Sequence, residues 1–168
     1  MKIFFYFAVL TVFVISCKQQ NGHSKKTAGA WLAPIIKNSD STYEKPYYRT
    51  DFVTAVYYVN KKDSSICQVM KDSSGVIRQI SMAKKNLRTF FAPYYANGQL
   101  QADINFDASG QYNGAVTTYY ENGSIQSTGQ YTHGLKAGQW KNYDEKGKLL
   151  STDEYDSNGQ FLKPPGKN

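Results

Sequence analysis

With 168 residues, a net charge of +7, 40% hydrophobic residues and 15% aromatic residues, the chain is sized for one domain with a modest core. A mean hydropathy of −0.56 argues against a multi-span membrane protein, and the aromatic content argues against wholesale disorder. Two Cys and two His leave little material for a disulfide framework or a metal cluster.

Met1 and Lys2 give a short positive start, and residues 3–15 carry no charge. That length suits a secretory hydrophobic region and is short for a bilayer span. The run ends Val14-Ile15-Ser16-Cys17 and then turns polar, which resembles the bacterial lipoprotein signal. The resemblance implies cleavage before Cys17 and acylation of its thiol, palmitate being one such chain. Two or more acyl chains would anchor the protein firmly to a lipid bilayer. The expected address is the bacterial cell envelope, with the periplasm as the compartment. With Cys17 acylated, Cys67 has no intramolecular partner, and Ile66-Cys67-Gln68-Val69 reads as a strand holding it as a small buried hydrophobe.

Residues 18–30 are polar and aperiodic and read as a tether. Trp31-Leu32-Ala33-Pro34-Ile35-Ile36 is an apolar island whose local structure the pattern leaves open, packing back on the domain being one option. From Phe52 onward, β-branched and aromatic runs alternate with turn residues. The runs are 52–59, 66–70 and 76–82, with Lys71-Asp72-Ser73-Ser74-Gly75 as one turn. No segment sustains apolar residues at helical spacing, so helix content is expected to be low.

An internal repeat follows. Tyr94-Tyr95-Ala96-Asn97-Gly98-Gln99-Leu100 matches Tyr119-Tyr120-Glu121-Asn122-Gly123-Ser124-Ile125, and Tyr143-Asp144-Glu145-Lys146-Gly147-Lys148-Leu149 is a third copy. Gly75 marks a degenerate fourth, giving a period of about 24 residues. An aromatic recurs after each clear Gly, at Phe106, Tyr131 and Tyr155, while Phe91, Val116 and Trp140 precede it. Asn-Gly favours a two-residue hairpin turn with positive φ. Beyond each turn, Leu100, Ala102, Ile104 and Phe106 fall on one face by period two, as do Ile125, Ser127, Gly129 and Tyr131. One such hairpin cannot bury that face alone, so the hairpins must stack. The expected fold is all-β: an elongated, twisted, mostly single-layer antiparallel sheet of stacked β-hairpin repeats.

The run from Tyr119 through Gly129-Gln130-Tyr131-Thr132-His133-Gly134 to Trp140-Lys141-Asn142-Tyr143-Asp144 resembles the bacterial variant of the MORN repeat. It is similar to YwqK-type antitoxin family proteins, and the likeness covers roughly residues 88–161. It implies a protein-interaction module, and the antitoxin label implies a toxic protein as partner. The chain then divides into a signal peptide (1–16), the lipidated Cys and a polar tether (17–45), and an N-terminal hairpin region with the degenerate repeat (46–87). The repeats (88–161) and a polar tail (162–168) follow.

Chemistry-bearing motifs are missing from the sequence. The stretches starting at Glu154 and Asn105 look like calcium loops, but their twelfth positions are Pro165 and Val116 rather than a bidentate Glu. His23 and His133 lie far apart, and there is no phosphate loop or nucleophile elbow. No catalytic residue, cofactor or metal is expected. Export disfavours a nucleic-acid role. The reading is a membrane-anchored, non-enzymatic interaction module, the alternative being an antitoxin or immunity protein that neutralises a toxic partner in the envelope. Rings on the repeat rungs, Tyr94, Tyr95, Tyr119, Tyr120, Trp140 and Tyr143, are the candidate partner contacts, because Tyr and Trp dominate interfaces. The competing reading makes the same rings cover for the core.

Overall fold

The computed structural model describes residues 28–47 and 52–162. The segment read as a signal peptide, Cys17 and residues 163–168 lie outside them.

One helix precedes the strands: α1, Ala28–Asn38. The strands are β1 (Ser41–Pro46), β2 (Phe52–Asn60), β3 (Ser65–Asp72), β4 (Ile77–Lys84), β5 (Leu87–Pro93) and β6 (Ala102–Asn105). They continue as β7 (Gly114–Tyr119), β8 (Ile125–Thr132), β9 (Leu135–Tyr143), β10 (Leu149–Tyr155) and β11 (Phe161–Leu162). All eleven strands form one open sheet in strict chain order, each antiparallel to the next. This is the all-β stacked-hairpin architecture expected from the repeat. Strictly sequential pairing follows from the short turns, which leave each strand nowhere to go but beside its predecessor.

The core lies on one face of the N-terminal half. Register places Val56, Val69, Ile80 and Ala92 in one cross-strand row, with Tyr58, Cys67, Met82 and Phe90 in the next. Leu32 of α1 is buried on this face, with Ala28 and Ile35 packed beside it. The same cluster runs on through Tyr94 to Leu100, so the helix-covered half and the first repeat share one core.

Two sequence expectations change here. The segment read as a tether and an undecided island contains a helix and an exposed first strand, β1. Ala28, Leu32 and Ile35 do fall on one helical stripe. Pro34 hides the signal, since a proline inside a helix forfeits a backbone bond and normally argues against one. The second change is the turn class. Asn97 and Asn122 do not adopt positive φ, whereas Gly98 (78°) and Gly123 (86°) do. Gly98 N–H donates to the Tyr95 carbonyl and Tyr95 N–H to the Gln99 carbonyl. That is a type I turn closed by a Gly bulge rather than a two-residue turn. True two-residue turns occur instead at Lys85-Asn86 and His133-Gly134, where both residues have positive φ.

Candidate functional site

The turns fall alternately at the two ends of the strands. One end carries the bulged turns 72–76, 95–99, 120–124 and 144–148, each with the same pair of backbone bonds. In two of them the repeat's signature side chains reach the next unit. Tyr95 Oη donates to the Tyr119 carbonyl at 2.9 Å, and Tyr120 Oη to the Tyr143 carbonyl at 2.8 Å. Asn97 Nδ2 donates to the Glu121 carbonyl at 2.9 Å, and Asn122 Nδ2 to the Glu145 carbonyl at 3.1 Å. Meanwhile Asn97 Oδ1 and Asn122 Oδ1 accept from the backbone of their own turns, at Gln99 and Ser124. Each Tyr-x-Asn-Gly turn is therefore closed by Asn and stapled to the following turn by Tyr and Asn together.

The degenerate unit keeps the device in altered form. Its turn, 72–76, has the same backbone bonds, and Arg78 Nε reaches the Tyr94 carbonyl at 3.5 Å. The third copy departs from the pattern where the staple ends. Asp144 replaces the second Tyr, and its carboxylate caps Lys146 N–H and Lys148 N–H inside its own turn. A carboxylate has no proton to donate onward.

At the other strand end a strip of rings crosses the C-terminal half. Neighbouring centroids lie 5.2 Å apart from Phe106 to Tyr112, 5.3 Å to Tyr131 and 5.0 Å to Trp140. The strip continues over 6.4 Å to Tyr155 and 5.7 Å to Phe161. The rings meet tilted or edge to face, the arrangement their quadrupoles prefer. Lys136 Nζ lies 4.3 Å from the Trp140 centroid and 5.1 Å from that of Tyr155, and Arg88 sits over Phe91 and Phe106. Trp140 Nε1–H donates to the Gln130 carbonyl across Gly129. A Cβ on Gly129 would penetrate the Trp140 ring, so this glycine is set by close approach rather than by a turn. Beside the rings, Thr118 pairs with Ser127, and Asn142 Nδ2 donates to Ser151 and Asp153. The opposite face is a polar row of Thr117, Thr128, Lys141 and Thr152.

The six rings singled out from sequence scatter over this framework. Tyr94 and Trp140 are buried, at 2% and 4% exposure, and offer no open ring to a partner. Tyr95, Tyr119, Tyr120 and Tyr143 are half-buried, and the hydroxyls of Tyr95 and Tyr120 are committed to staples. Only Trp140 of the six belongs to the strip. The exposed strip rings are Tyr112 and Phe161, which were not among the candidates. The recurrence of Phe106, Tyr131 and Tyr155 after each Gly was the available signal.

Tyr94 has a further peculiarity. Its Oη is buried without a hydrogen-bond partner. Burial, with smaller contributions from Asp103 and Cys67, pushes its ionisation up to about 12. Burying an unpaired hydroxyl costs roughly 1–3 kcal/mol. Tyr94→Phe is therefore expected to raise stability by about 1 kcal/mol, measured by urea unfolding, and a loss of stability would count against this packing.

Carboxylates tune the turns. A hydrogen bond from the Ser74 side chain, the largest cause, holds Asp72 below its ordinary value of 3.8. The backbone bond from Gln111 does most to lower Asp107, followed by His133, whose Nδ1 lies 2.9 Å from Asp107 Oδ2. A carboxyl lowered on folding adds stability above its unfolded value, and that stability is lost as pH falls through the folded value. Melting temperature is expected to hold between about pH 7 and pH 5 and to drop below about pH 4. Asp72→Asn should flatten that drop in a pH series of thermal melts.

Residues 94–108, 112–133 and 136–157 match the MORN repeat variant. The stapled turns and the strip are thus features of a repeat module. No curated protein sequence matches the chain. Among solved structures, the crystal structure of TarM is similar at 14% identity and a TM-score of 0.41, over 75% of this chain and 24% of that one. A mutant of S. aureus TarM in complex with Fondaparinux, alpha-GlcNAc-glycerol and UDP is similar at 11% identity and a TM-score of 0.37, over 67% of this chain. The chain spans 24% of the length of each.

Proposed function

We propose that this chain is a lipid-anchored, non-enzymatic interaction module of the bacterial cell envelope. Cys17 would hold it at the bilayer, and the MORN-variant sheet would present a preorganised surface to a protein partner. The observation that carries the reading is the repeat match over residues 94–157, in units that are cross-linked turn to turn. A surface ordered before binding loses less entropy on docking than a loop would, which favours a sheet of this kind as a platform. Tyr112 and Phe161 are the exposed rings of the aromatic strip on that platform. The lipoprotein-like Val14-Ile15-Ser16-Cys17 supports the anchor.

Labelled palmitate fed to cells expressing the full chain should enter the wild type and not Cys17→Ser, and label in both would refute the anchor. Photo-crosslinking from position 112 in the native envelope should trap a discrete protein adduct, and its absence there and from position 161 would refute the platform. The likeness to YwqK-type chains favours a toxic partner. Rescue of growth on co-expression with the crosslinked protein would establish that narrower role.

A further inference from the structure

The C-terminal half of α1 packs Ile35 against the core, while Ile36, Lys37 and Asn38 stay exposed. Pro34 lies inside the helix, which ends at Asn38. Between this end of α1 and strands β2 to β4 lies a half-open pocket of about 180 Å³. Ile35, Tyr58, Cys67 and Met82 form its apolar wall, and Asn38 and Asn60 stand among its polar groups. We propose that this cavity binds an uncharged, single-ring aromatic molecule carrying one hydrogen-bonding group.

Size, charge and chemistry select that class. An apolar protein cavity of ~150 Å³ is enough to hold benzene. Among the described residues that line it, no side chain bears a formal charge, so a charged ligand would lose hydration there without gaining a countercharge. The wall brings two sulfur atoms and a phenol ring together, and sulfur beside an aromatic ring is a favourable contact. Asn38 supplies both a donor and an acceptor for a hydroxyl or amide on the ligand, and Asn60 a donor, its Oδ1 accepting from Lys62 N–H. Cys67 is 3% exposed, and burial pushes its thiol up to about 12, so it stays protonated and contributes a contact rather than a covalent bond. The site is independent of the repeat match, which begins at Tyr94.

Phenol and benzoate, one neutral and one anionic at pH 7, are the probes, titrated calorimetrically into the full chain. Phenol should bind one to one with a roughly millimolar Kd, as expected for so small a ligand. Benzoate should bind at least about tenfold more weakly, its charge being unpaired in the cavity. Cys67→Leu fills the cavity and should abolish phenol binding. Cys67→Ala enlarges it and should retain binding, which guards against a Leu variant that simply misfolds. Absence of saturable phenol binding, equal binding of benzoate, or undiminished binding by a folded Cys67→Leu would each overturn the assignment.

Discussion

Gly129→Val should destabilise the protein by about 3 kcal/mol, the upper range for forcing atoms into a packed site. Gly129 has no positive φ to protect, so its need is entirely for space under the Trp140 ring. A side chain there must lift Trp140 out of its place between Tyr131 and Tyr155 and break its bond to the Gln130 carbonyl. Strand β8 would otherwise welcome Val, so propensity works against the predicted loss and sharpens the test. Thr128→Val, on the opposite face, is the control and should change stability by no more than about 0.5 kcal/mol. Urea unfolding and near-ultraviolet circular dichroism report the two effects, loss of stability and loss of the fixed ring environment. Equal stability of the two variants would mean that the rings are not packed as described.

Leu100→Ala carries the other large effect. Leu100 is fully buried, it bridges to Tyr94, and it ends the cluster that begins at Leu32 under the helix. Truncation in such a site costs roughly 2–5 kcal/mol, because a packed interior collapses only partly around the hole. The residue joins the helix-covered half to the repeats. Its loss should therefore lower the midpoint of one cooperative transition, with tyrosine fluorescence and far-ultraviolet dichroism staying coincident. A cost below about 1 kcal/mol would place the two halves in separate cores.

The repeat was legible because turn residues and period-two alternation both recur, and local chemistry then leaves a meander as the only economical pairing. Its one-sided phase was legible only in part: Leu100 and Ala102 are both buried, but register shifts fall between Ile125 and Ser127 and between Leu149 and Ser151, and Leu149 is exposed. What sequence did not reveal was the purpose of the residues that recur within each unit. Tyr and Asn before Gly read as a surface ring and a turn former. In the fold they are donors to carbonyls one unit away, a relation that exists only after the hairpins stack. The departure at Asp144, which blurs the repeat in sequence, coincides with the point where stapling stops. The helix escaped for a different reason. Its apolar stripe is three residues long and Pro34 sits inside it, so only the exposed core face of β2 to β5, waiting to be covered, explains why it forms. For the candidate contacts, periodicity located rings but not their depth. Trp140 and Gly129 are a matched pair across two strands, and register, not spacing, decides that one fills the other's vacancy.

Two units are stapled to the next by their own tyrosines, and removing two oxygen atoms tests that arrangement. Tyr95→Phe and Tyr120→Phe keep both rings and delete only the hydroxyls that reach Tyr119 and Tyr143. Equilibrium urea unfolding of the wild type, the single variants and the double variant is the measurement. A hydrogen bond of this kind contributes about 1 kcal/mol net, so each single variant should lose about that much and the double about twice it. Wild-type stability in the double variant would contradict the stapled array.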